Sequence, residues 1–242
     1  MRNWFSYVLA ANLLALIGAT CAAESIPDTG LAGRPAQRTG LLTDRLNKKQ
    51  LQVWRAMEQV VGAKDAAGQP LYPSLHELYV WAQTSGFSIS IEMPQPDSIS
   101  PYEAAECVLA QTPSGMMPGL TIRIYVGVID KARVERTESR ANDFIPFLGL
   151  SGVARYCETL AHELTHARQC FTDPAYVQML KEQASLNTQF LEMVHRKAKD
   201  DPTRQKKLEL QHRLSELAKR IEASAIDAEK QVWRELTSSP MI

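Results

Sequence analysis

Leu160-Ala161-His162-Glu163-Leu164-Thr165-His166-Ala167 is the stretch that decides how the chain is built. It lies in a segment, Val153 to Cys170, whose apolar spacing predicts a helix, so His162 and His166 stand one turn apart on the same face. Both imidazoles can then reach one metal ion. Neutral imidazole suits zinc at about 2.0–2.1 Å, and a site with only three protein ligands keeps a position for water. Glu163 falls about 100° round the helix from His162, beside the ligands, where a carboxylate can take a proton from that water. Only five histidines occur in the chain, so two at ligand spacing, flanked by the small residues Ala161 and Ala167, are a pointed signal.

Outward from this helix, the sequence predicts an α+β fold, a short sheet packed on helices. Leu51, Val53, Trp54, Met57, Val60 and Val61 keep helical spacing from Asn47 until Gly62. A second helix is expected from a Ser74 cap to Gly86, and Phe87 to Met93 alternates as a half-buried strand closed by Pro94 and Pro96. A short helix from Tyr102 to Gln111 would carry Cys107, with a turn from Pro113 to Gly119. The β-branched run Leu120 to Ile129 reads as the best strand. Residues 131–146 read as a polar surface excursion. Helices then follow over Val153–Cys170, Pro174–Lys199 and Pro202–Leu236, the two prolines standing where a first turn tolerates them. The last carries a seam at Leu210, Leu214, Leu217, Ile221, Ala225, Ala228, Val232 and Leu236, which could pack internally, self-associate or take a partner.

His162, Glu163 and His166 match the HExxH motif of the zincin superfamily of metallopeptidases, which this chain resembles. The glycine and third histidine of the metzincin branch are missing from Ala167-Arg168-Gln169-Cys170-Phe171-Thr172. The resemblance therefore implies a gluzincin-like site of thermolysin type, with the third ligand a glutamate on a later helix. Ile221-Glu222-Ala223-Ser224-Ala225 fits that pattern, since Glu222 adjoins the seam and the small residues around it let another helix approach. Glu229, seven residues on and on nearly the same face, is the alternative ligand; Asp227 and Glu229 could otherwise back the ligands. The resemblance covers the motif helix and, loosely, residues 120–236. It implies one Zn2+ ion on His162, His166 and Glu222, Glu163 as the base, and hydrolysis of peptide bonds in a peptide or protein. His195, His212, Tyr156 and Tyr176 are candidates for the donor that stabilises an oxyanion, whereas His76 reads as an ordinary helix residue.

Lys and Arg number 27 against 27 Asp and Glu, which removes the basic footprint that nucleic acid demands. Arg2, the apolar run Tyr7–Ala19 and the small residues up to Ala23 read as a secretory signal over 1–23, too short for a stable membrane span. Residues 24–46 read as a flexible lead-in and 47–242 as one zincin-like domain. The expected location is periplasmic or secreted, with lipid anchoring through Cys21 as the minor alternative. Of the remaining cysteines, Cys157 and Cys170 would lie about 20 Å apart along one helix, beyond disulfide reach, so any bridge must use Cys107. Two other functions fit the same residues: an exported helical interaction protein with a structural metal or none, and a metal-dependent amidase acting on cell-wall peptides.

Overall fold

The computed structural model describes residues 38–94, 104–109, 120–132, 145–195 and 201–239. The expected leader, most of the lead-in, the Pro113–Gly119 turn, Pro96 and most of the polar excursion lie outside the described residues. Over those described, the chain is α+β. Its elements are β1 (Gly40–Leu42), α1 (Lys48–Val61), α2 (Pro73–Thr84), β2 (Ser88–Glu92), β3 (Ala105–Leu109), β4 (Leu120–Ile124), α3 (Val126–Lys131), α4 (Val153–Thr172), α5 (Pro174–His195) and α6 (Asp201–Ser238). The strands form one mixed sheet in the order β1-β2-β4-β3, parallel except for β3, which runs antiparallel to β4.

The first helix starts where expected. Asn47 accepts from the N–H groups of Lys49 and Gln50 while Gln50 reaches back to the Asn47 N–H, closing a capping box. Four expectations are corrected. The lead-in holds a strand: β1 pairs with β2 from Gly40, whose φ of +92° and close approach to Gln83 leave no room for a Cβ. Three residues are too few to show a period. Ser74 is not a cap but the second residue of α2, which starts at Pro73. The helix expected around Cys107 is instead β3, because pairing with β4 overrides the helical propensity of its Ala, Glu and Leu residues. The strand expected to reach Ile129 stops at Ile124, and Val126 to Lys131 turns into α3, whose Ile129 is fully buried.

The face of β3 is set by charge. Glu92, Arg123 and Glu106 lie in register on β2, β4 and β3, and the Arg123 guanidinium bonds both carboxylates at 2.9 Å. Side chains alternate along a strand, so Cys107, paired in register with the fully buried Ile122, belongs to the opposite face, which packs on α4.

Helix α4 is the centre of the molecule. Twelve of its 20 residues are buried, against α1, α2, α6 and the sheet. Helix α6 spans two cores: Leu210, Leu214, Leu217 and Ile221 join Tyr176 and Leu186 of α5, while Val232 and Leu236 join the main core. The seam is therefore buried within the chain, mainly against α4 and α5. No helix among the described residues is long and apolar enough to cross a membrane.

The far end of α6 is fastened to the start of α2. Glu235 accepts from the Ser74 N–H at 3.1 Å and from its hydroxyl at 2.5 Å, supplying from another helix the cap that α2 lacks. The Tyr72 hydroxyl donates to the Ser239 carbonyl and the Trp233 indole N–H to that of Leu148. Glu235→Ala is expected to lower unfolding free energy in a urea titration by about 1–2 kcal/mol. Glu216→Ala, which removes only an exposed partner of Lys219, should leave the midpoint unchanged.

Candidate metal centre

Helices α4 and α6 pack against each other, and Ala225 of α6 is fully buried. Across this contact three atoms converge. His162 Nε2 and His166 Nε2 are 3.0 Å apart, and Glu222 Oε2 lies 3.2 Å from the first and 3.3 Å from the second. At about 2.0–2.1 Å from a tetrahedral zinc, ligand atoms would be separated by about 3.3–3.4 Å. The observed triangle is slightly tighter than one face of such a tetrahedron, so the donor set and its spacing fit a divalent cation. Among the described residues these three side chains alone form a group of this kind. The side chains of His162 and Glu222 each keep 19% exposure, so an ion and a water can reach them.

The other ring nitrogens are also engaged. His162 Nδ1 lies 3.0 Å from Glu229 Oε2, and His166 Nδ1 lies 2.7 Å from the Tyr176 hydroxyl. A ligand histidine needs its second nitrogen held in this way: the Glu229 carboxylate can only accept, so it holds a proton on His162 Nδ1, and the Tyr176 hydroxyl fixes the orientation of the His166 ring. Burial disfavours charge on His162, but Glu222 and Glu229 outweigh it and raise its pKa well above the ordinary value. Burial likewise pushes the Glu222 carboxyl up, and hydrogen bonds from His162 and His166 reverse this to hold it below the usual carboxylate range. Tyr176 is held a neutral phenol, chiefly by burial.

Glu163 is buried beside the cluster, and its pKa is raised by that burial against the pull of His162 and His166. Glu158, one turn before His162, is wholly buried, and burial and the Glu229 charge push it up to about 9. Its carboxyl accepts the Phe147 N–H at 3.1 Å. That N–H is presented by a loop in which Phe147 itself takes a φ of 64°. Held neutral at physiological pH, Glu158 avoids a second negative charge near Glu229.

The residues singled out from sequence sort cleanly. His162, Glu163, His166 and Glu222 come together; Glu229 backs His162 through Nδ1, outside the triangle, and Asp227 points to solvent with Lys230. Tyr176 holds His166, while Tyr156 donates to Asp130 away from the cluster. His212 is exposed, His76 bonds the Val61 carbonyl, and the His195 side chain lies outside the described residues. Glu158 is the residue that sequence reasoning missed. Its signal is an acid four positions before His162, on the same helix face as the two histidines. Comparison with family models, curated proteins and solved structures finds no match, so geometry carries the chemistry.

His162→Ala, His166→Ala and Glu222→Ala should each lose bound metal by elemental analysis after zinc reconstitution. Glu229→Ala should bind it about 10–100-fold more weakly, since it removes only the orienting partner of His162. For Glu158 the sign follows from its raised folded pKa: the unfolded carboxyl ionises near its ordinary value of 4.5, so stability falls as pH climbs from there towards 9. Glu158→Gln should unfold like the wild type at pH 4 and be more stable by on the order of 2 kcal/mol at pH 8.

Proposed function

We propose that the chain is a zinc-dependent hydrolase of peptide bonds, exported to the periplasm or beyond, with His162, His166 and Glu222 holding the ion. One observation carries this reading: two histidine Nε2 atoms and one carboxylate oxygen form a triangle 3.0–3.3 Å on a side, next to a buried glutamate that is not part of it. Three protein ligands leave a coordination position open, which is the arrangement of catalytic sites rather than of closed structural ones. When bound, the ion supplies Lewis acidity towards a carbonyl and lowers the pKa of water.

The chain's own residues do the rest. Glu229 and Tyr176 fix the two imidazoles in orientation, and Glu229 holds a proton on His162 Nδ1. Glu163 takes the proton of the attacking water and delivers it to the leaving amine, and its raised pKa suits both transfers better than that of an exposed carboxylate. The HExxH resemblance supports a zincin-like assignment of gluzincin type, and peptide amides as substrates follow from it.

Glu163→Gln separates base from ligand. It should retain stoichiometric zinc while turnover of a peptide library falls by about 10²–10⁴-fold. Full turnover in this variant would remove Glu163 as the base. Wild-type zinc binding without cleavage of any peptide or cell-wall amide would favour a structural metal in an interaction protein.

A further inference from the structure

We propose that Cys107 and Cys170 form a disulfide that staples the edge strand β3 to the helix α4. Cys107 lies on the helix-facing side of β3, opposite the Glu92–Arg123–Glu106 ladder, and β3 packs on α4. Cys170 lies in the last turn of α4, one turn beyond the motif, and touches both cores. The two thiols face one another closely enough for Cys107 to donate a hydrogen bond to Cys170. Both are half-buried, whereas Cys157 is fully buried against the Met57 carbonyl.

The chemistry needs an external disulfide as oxidant. The Cys170 thiol, lowered by the hydrogen bond from Cys107, is the better attacking group. As a thiolate it attacks one sulfur of that disulfide, expelling a thiolate and forming a mixed disulfide. Cys107 then loses its proton and attacks the Cys170 sulfur, forming the internal S–S bond and expelling the second thiolate. The two protein thiols lose two electrons in all, and the external disulfide is reduced to two thiols. The bridge closes a loop of about 60 residues that contains β4, α3 and most of α4. An oxidising compartment, as the leader implies, would supply the oxidant. The inference stands whether or not the centre binds metal.

The test is peptide mapping of the purified full chain after equilibration with oxidised glutathione and quenching with N-ethylmaleimide. The expected result is a Cys107–Cys170-linked peptide pair, two hydrogens lighter than its parts, with Cys157 alkylated only after unfolding. Alkylation of both Cys107 and Cys170 after that equilibration, or a bridge from either to Cys157 or Cys21, overturns the proposal. Melting gives a second readout. Dithiothreitol should lower the Tm of the oxidised wild type by several degrees and leave that of Cys170→Ser unmoved; an unmoved wild type would count against a staple.

Discussion

His162 is held through both ring nitrogens by carboxylates of a single helix, and most of the structure serves that contact. Glu222 and Glu229 are two turns apart on α6, about 10 Å of rise, so one imidazole from α4 lies lengthwise along the α6 face. Such a fit fixes the rotation of both helices and their distance. A bulkier residue in place of the fully buried Ala225 would push the axes apart and break it. The fastening of α6 to α2 through Glu235 and Tyr72 sets its position along the axis, and the α5 core sets it at the other end.

Gathering Glu158, Glu163, Glu222 and Glu229 around two imidazoles at the junction of two cores is electrostatically expensive, because burial penalises each charge. The molecule settles the charges unequally. Glu222 stays ionised under hydrogen bonds from both histidines, Glu158 keeps its proton, and burial raises the pKa of Glu163. A divalent cation bound by the triangle would offset the remaining negative charge, which is a physical reason for such a cluster to persist in a protein large enough to fold without it.

The sheet contributes placement. Its polar ladder turns one face of β3 outward, and the opposite face brings Cys107 to α4 and near Glu163, whose charge it senses. The edge strand and the helix that carries the cluster are thus coupled by packing alone, and a Cys107–Cys170 bond would make that coupling covalent.

By itself the sequence determined what depends on local period and spacing. The helices over 48–61, 153–172 and 201–238 follow from apolar repeats and caps, and the shared face of His162 and His166 follows from the helical pitch. Glu222 was legible as a candidate because small residues surround it on the seam. Tertiary structure decided everything that needs a partner from afar. Residues 105–109 are a strand because β4 lies beside them, and β1 exists because Gly40 fits against Gln83. Glu229 became the support of His162, and Glu222 the third vertex, only through the rotation of α6 on α4. Glu158 was overlooked because a carboxyl on an apolar helix face is kept neutral by burial, and burial is a property of the assembled core that no stretch of sequence contains.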